Sequence, residues 1–535
     1  MGIWREHTMT AMKRRTFLQG FAYTALYGSV VADVFTAAQA MEPAGIVGSD
    51  PDLHLLRRVS FGPTVAELAR VKAMGRAAYI EEQLAASDGQ TELLTTALYP
   101  LINTGGVSAY LSTGVGFAVG THQLHLQSAM LYRALFSTAQ LKEVMVDFWN
   151  DHFNTYIRKN PIPLKLDLDR DVIRPLALGN FKTLLRAVVR SGEMLHYLDN
   201  WLNRVDAINE NYSRELLELH TLGKGGGYTE ADLKALARIL SGLGFVTDLP
   251  LSATSYGTAQ FTAAQHDATE KVFLGVVFPA GGGEAEIDRA LQLMLDHPST
   301  ARFIASKLCR RFVADEPPTA LVDRVAAAFT SSGGDIKTLL RLILASPEFA
   351  ASHGAKLKRP LEAMVGAMRA CGINSFDALL NTNLFGFPVA SPNGTLFTGL
   401  MKAGHEPFGW VPPNGYPDVA AYWDNSNSLL YQQKFLVGMV EGIGYGRVLA
   451  DPQAALLNGN SVAAGVTRAT TPRAAVNNAI ANLLFTALPD AAVSAALAFV
   501  AQEADPDAVM ETGLLEQRVK GLVFVLLSSP WFLLR

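Results

Sequence analysis

Apolar residues recur every three to four positions along nearly the whole chain beyond residue 50, and this limits the fold more than any other feature. A period of about 3.6 marks helices that turn one face to a core. It predicts helices over Val65–Leu84, Gln123–Arg133, Leu141–Arg158, Asn209–Leu222, Glu230–Leu240, Glu284–Leu295, Thr300–Val313, Ala320–Thr330, Ile336–Leu344 and Leu357–Ala370. Helix starts are marked as well. Thr229-Glu230-Ala231-Asp232 reads as a capping box after the Gly225–Gly227 loop, and Pro298 suits a first helical position. Strand signals are confined to Gly244–Thr247 and Lys271–Val277, enough for a small hairpin or sheet. The fold class is therefore all-α: a large multi-helical domain with two helical lobes and a minor β-hairpin.

The lobes are expected at 41–380 and 381–535, the second opening on the Gly/Pro/Asn-rich stretches Asn381–Thr395 and Gly404–Asp418. Long ordered loops of that kind often carry function. Leu339–Phe349 and Leu522–Phe532 echo each other, each closing a helix on Ser-Pro-x-Phe, where the proline stops the helix and the aromatic folds back. Two copies suggest two related lobes and fall short of a solenoid, which needs three or more units.

Residues 1–40 read as a targeting segment, with Met9 or Met12 as the expected true start. Arg14-Arg15 stand just ahead of Phe17-Leu18, a mildly apolar stretch runs from Phe21 to Phe35, and Ala38-Gln39-Ala40 offers small residues for cleavage. The pattern predicts export of the folded chain by the twin-arginine translocase, to the periplasm or outside the cell. The apolar stretch is too short and mild for a stable membrane span, which takes about 20 apolar residues.

With that segment removed, the 45 basic and 49 acidic residues of the chain become 41 and 47, a net charge of −6. Modest acidity argues against a nucleic-acid partner, which wants a basic face. The two cysteines, Cys309 and Cys371, are too few for a zinc or iron–sulfur cluster, and no Cys-x-x-Cys-His for covalent haem is present. They could pair in an oxidising compartment, yet Cys309 continues a core stripe in which a buried free thiol is equally at home.

Three segments could carry chemistry. On the helix from Leu141, His152 shares an apolar face with Met145, Phe148, Trp149 and Phe153, opposite a polar face of Glu143, Asp147, Asn150, Asp151 and Asn154. A core histidine bonded to a carbonyl is the plain reading, and a proton shuttle or ligand the sharper one. In the second, Asn209–His220, the residues Asn211, Glu215 and Glu218 fall within about 60° of one another on one helical face. Two carboxylates and an amide there can act as a general acid/base pair, with Arg214 as an anion clamp, or bind a divalent cation with Asp199 as a further ligand. A solvated face with Arg214 pairing to Glu210 or Glu218 competes with both. Third, His405–Pro417 with Trp423 offers Trp410, Tyr416 and Trp423 as stacking surfaces for sugar rings, or as a plug over a core. His266-Asp267 is a lesser candidate. No Walker loop, Gly-x-Gly-x-x-Gly, Gly-x-Ser-x-Gly or His-Glu-x-x-His is present.

Leu56–Gly62 (LRRVSFG), Phe148–Phe153, the run Asn209–Gly223 with Gly227-Tyr228-Thr229, His266-Asp267, Ser346–Phe349, Lys358-Arg359-Pro360 and Gly409–Pro417 with Trp423 together resemble the bacterial domain of unknown function 1800 family, over about Leu55 to Phe532. That resemblance implies a secreted, mostly helical protein, often encoded beside a twin-arginine-exported protein resembling sulfatases, and supplies no reaction. The leading expectation is a periplasmic, metal-assisted or metal-free hydrolase of carbohydrate or another extracellular polymer. The alternative is a non-catalytic scaffold or partner of a co-exported sulfatase-like protein.

Overall fold

In the computed structural model the helical period is realised over most of the described residues, which are 50–103, 117–159, 162–247, 255–372, 396–441, 471–510 and 512–535. The targeting segment and the Asn381–Thr395 loop lie outside them. The expected β element becomes two separate two-stranded antiparallel sheets. Strand β1 (Leu243–Phe245) pairs with β2 (Ala259–Phe261), and β3 (Lys271–Phe273) with β4 (Val276–Phe278). Lys271–Val277 is thus a hairpin by itself rather than a partner of Gly244–Thr247. Its two-residue turn, Leu274-Gly275, has positive φ at both positions, the backbone that matches the twist of a tight hairpin.

Contacts divide the chain into two units, one comprising the residues to Tyr79, His353–Glu406 and Asp418–Arg535, the other Ile80–Ser352 and Pro407–Pro417. This differs from the sequential lobes read at 41–380 and 381–535. The stretch up to Tyr79 and most of the chain from His353 onward share unit 1, and the Pro407–Pro417 loop belongs to unit 2. Helical periodicity reports which face is apolar, not which distant stretch covers it.

Unit 2 builds its core from strongly amphipathic helices. Ile336–Leu344 buries Ile336, Leu339, Leu340, Ile343 and Leu344 and packs with Pro298–Phe312 and Thr319–Ser331. Local signals set the ends. Thr229 accepts from the Asp232 N–H while the Asp232 carboxylate accepts from the Thr229 N–H, the expected capping box, and Pro298 stands at the first position of its helix. The Val65–Leu84 helix is in fact broken at Gly75 (φ +83), which divides Val65–Met74 from Arg76–Ala85.

In unit 1 the Pro360–Ala370 helix is buried on every side and packs on Leu396–Lys402, Ser426–Glu441 and Pro472–Leu483. The LRRVSFG and Lys-Arg-Pro runs meet here. Arg57 donates to the Leu484 carbonyl, Arg369 to the Gly62 carbonyl and the Glu67 carboxylate, and Lys358 Nζ lies 3.5 Å from the centroid of the Phe532 ring. The Ser-Pro-x-Phe echo contributes one copy to each unit. Its prolines open the short turns Pro347–Ala350 and Pro530–Leu533, so they restart a helix as well as stop one, and Phe349 and Phe532 are buried. Both cysteines are buried free thiols, one in each unit.

Gly62 crosses Gly366 so closely that a Cβ on it would lie 2.5 Å from the Gly366 Cα. Overpacking against backbone has no side chain to move, so Gly62→Ala is expected to cost unit 1 about 2–4 kcal/mol. Chemical denaturation monitored by a unit 1 probe checks this; a midpoint unchanged from wild type would refute the close packing.

Candidate functional site

The Gln140–His152 helix organises unit 2, and both of its faces are buried. Its apolar face holds Trp149, whose Nε1 donates to the Ala177 carbonyl at 2.9 Å. His152 lies in this face with Trp149, Phe153, Phe181 and Phe303 around it. Its Nε2 is 3.2 Å from the His220 carbonyl, so Nε2 carries the proton, while Nδ1 and the His220 Nε2 are buried without a partner among the described residues. Burial, then Lys307, holds both imidazoles far below their usual range, His220 down to about 3. His152 thus lies as a buried histidine on a carbonyl, the plain reading of its place in the apolar face.

The opposite face, read from sequence as polar, is polar and enclosed. Glu143 takes both amino groups of Arg174, at 2.7 and 3.0 Å. Asp147 lies 3.7 Å from Arg311. Asn150 donates to Asp169 at 2.9 Å and accepts from Lys165 at 3.2 Å. Beyond the end of the helix, which stops at His152 and not at Arg158, Asn154 donates to the carbonyls of Trp410 and Pro412. Buried charges persist only when paired and hydrogen-bonded in this way.

The Asn209–His220 run forms a short α-helix, Asn211–Glu215, that passes into a π-turn, Leu216–His220. Such wide turns are rare and recur at functional sites. Glu215 and Glu218 stay on the half-exposed side while His220 turns into the core. Burial and then the neighbouring Glu218 push the Glu215 carboxyl up, against the pull of Arg214. Glu215 has no hydrogen bond or ion pair among the described residues, whereas Glu218 lies 3.5 Å from Arg214. Arg214 also meets Glu230 at 3.0 Å and Glu210 at 3.6 Å, so its charge is already shared among three carboxylates.

Asp199 and Asn211 are engaged elsewhere. The Asp199 carboxylate is 3.6 Å from Lys159, and Asn211 Nδ2 donates to the Leu198 carbonyl at 3.2 Å. Among the described residues no three His, Cys, Asp or Glu side chains assemble as a metal-holding group.

The aromatic loop is pinned to this region. Tyr197, whose hydroxyl is pushed up in pKa by burial first and by Glu193 and Glu215 after it, donates to the Val411 carbonyl. Gly415 (φ +72) sits so near Asp151 that a Cβ would overlap its carbonyl oxygen. Trp410 rests on Tyr416 with ring centroids 4.9 Å apart, Trp410 partly exposed and Tyr416 mostly buried. Trp423 belongs to unit 1, is 1% exposed and packs on His405, in the manner of a core plug. His266-Asp267 is a structural latch, with Asp267 paired to Arg238 and His266 Nδ1 on the Ser241 carbonyl.

A second feature had no sequence signal. A cleft of about 380 Å³ opens in unit 2 beside Glu143, and Arg133, Lys142, Asp169, Arg170 and Arg174 contribute to its wall. These residues are scattered over forty positions without a motif, and only the fold collects them.

The fold and these polar groups define a mostly helical protein of two units, with a half-buried carboxylate pair and a charged cleft in the second. The chain belongs to the family described as protein of unknown function (DUF1800), whose model matches residues 54–534. No curated protein and no solved structure matches it.

Proposed function

We propose that this family member is an exported hydrolase of carbohydrate or another extracellular polymer, with Glu215 as proton donor and Glu218 as base. The observation that carries the reading is the contrast between the two carboxyls. Glu215 is half-buried, unpaired and pushed up in pKa, while Glu218 is held beside Arg214. Environments that separate two neighbouring carboxyls suit one to give a proton and the other to take one. Glu215 would protonate the leaving oxygen as the bond to it breaks, and Glu218 would take a proton from the attacking water. Arg214 then acts as a positioning residue for Glu218. Trp410, partly exposed and seated on Tyr416, gives a surface for a sugar ring. Export by the twin-arginine translocase to the periplasm rests on Arg14-Arg15 and the segment after them.

A scaffold role alongside a co-exported sulfatase-like protein has one observation in its favour: Trp201, Leu202, Val205 and Ile208 are exposed along a single loop. One experiment separates the two. The exported chain is assayed against a panel of soluble polysaccharides for new reducing ends. Glu215→Gln is expected to lower cleavage about 10²–10⁴-fold without loss of folding. Activity should also fall as pH rises past the elevated Glu215 value. Cleavage by neither wild type nor variants, with a stoichiometric partner lost on Trp201→Ser, would overturn the hydrolase in favour of the scaffold.

A further inference from the structure

The short segment His196–Leu198, where the Gly192–Tyr197 helix ends, is tied to three parts of unit 2 at once. The Tyr197 hydroxyl donates to the Val411 carbonyl, next to Trp410. The Leu198 carbonyl accepts from Asn211 Nδ2, at the start of the helix that carries Glu215, and Glu215 is close enough for its charge to act on the Tyr197 hydroxyl. His196 stacks on Trp201, with ring centroids 5.5 Å apart and planes within 5° of parallel. Phe245 lies 6.0 Å from both rings. Trp201 still keeps 36% of its surface exposed. It is thus a second indole fixed by an aromatic neighbour, as Trp410 is by Tyr416 and by its own Nε1 bond to Asn414.

We infer that Trp201 is a second sugar subsite beside the Glu215–Glu218 pair, and that its ligand is an uncharged chain of β-1,4-linked pyranoses long enough to lie on both Trp201 and Trp410. The inference rests on the reading of that pair as a hydrolytic site and names its substrate class. Equatorial substituents leave the faces of such rings to C–H groups, which pack on an indole, and a β-1,4 linkage presents those faces along the whole chain. Charge selects against acidic sugars. Glu210, Glu215, Glu218 and Glu230 share the one guanidinium of Arg214, so a uronate would meet a negative field. A chain that engages one indole meets the other at high effective concentration, whereas a disaccharide covers only one. What favours sugar over a protein partner on Trp201 is its tie, through His196, to the segment that also meets the Trp410 loop and the Glu215 helix.

Calorimetric titration of the whole Glu215→Gln chain with cellohexaose and chitohexaose tests it, because binding is then read without cleavage. At least one hexamer is expected to bind about 10-fold or more tightly than its own dimer and than a galacturonate hexamer. Trp201→Ala, added to that chain, should bring the hexamer close to the affinity of its dimer, and Trp201→Phe should retain most of the hexamer's advantage. Trp410→Ala gives a second, independent loss of the same kind, and thermal melts show which variants fold. No binding by either hexamer, a hexamer no tighter than its dimer, a preference for the galacturonate, or hexamer affinity unchanged in a folded Trp201→Ala chain that loses a protein partner instead would each overturn the subsite. Hexamer binding that depends on Trp201, with no polysaccharide cleaved by the wild-type chain, would sink the hydrolase and leave the sugar site standing. Wild-type cleavage with hexamer binding indifferent to Trp201 would do the reverse.

Discussion

Arg174→Met should destabilise unit 2 by about 3–5 kcal/mol, because it leaves the Glu143 carboxylate enclosed with no counter-ion. The two side chains are only 10% and 8% exposed and meet through two parallel hydrogen bonds. Attraction between them largely offsets what it costs to bring both out of water, so the pair adds little net stability while either partner alone is expensive. Glu143→Leu combined with Arg174→Met should therefore recover most of what the single change loses. A double-mutant cycle by urea denaturation measures this, reading the Trp149 fluorescence inside the same unit. Equal losses in the single and double variants would mean that the charge is not what matters.

Acidification should weaken unit 2 more steeply than its carboxylates alone require. His220 is held down to about 3 and His152 also lies well below its usual value, by burial first and by Lys307 second. An unfolded chain takes up protons at both sites below about pH 6.5, and the folded unit does not. The stability that His220 contributes is thus fully present above pH 6.5 and drains away between there and about pH 3, at about 1.4 kcal/mol per pH unit, and His152 acts in the same direction. Denaturation midpoints at pH 7 and pH 5, compared between wild type and His220→Gln, isolate the effect. The variant starts lower at pH 7 and should lose less on acidification; parallel curves would show that the histidine is protonated in the folded unit.

The fold class was legible in the sequence because helix periodicity, capping boxes and proline positions are local. Thr229 and Asp232 determine one another across three residues, and no distant part of the chain has to be known. Chain organisation was not legible, since what covers an apolar stripe is decided by residues hundreds of positions away, as with Arg57 and Leu484. The same limit leaves the enclosure of the polar face of the Gln140–His152 helix unread. Glu143, Asp147 and Asn150 have the spacing of a solvated stripe, and the cations that enclose them, Arg174, Arg311 and Lys165, come from three other helices.

The candidate site divides along the same line. Glu215, Glu218 and Arg214 lie together because one helical turn brings them together. Asp199 and Trp423 were added by composition, and the fold attaches them to Lys159 and His405 instead. The charged cleft beside Glu143 carries no motif at all, for its walls come from separate stretches that only the fold brings together.

The division of the chain has a consequence for its biogenesis. On the ribosome, nearly all of unit 2 has emerged by Ser352, lacking only the Pro407–Pro417 loop. The Pro51–Val59 helix, made earlier, must wait more than four hundred residues for the Leu484 carbonyl that its Arg57 meets. Contacts closed over such distances form slowly. The early helices of unit 1 thus spend much of elongation without these late partners. Export before synthesis reaches that region would send out a chain with one finished unit and one open one. A route that accepts only completed, folded cargo removes that hazard.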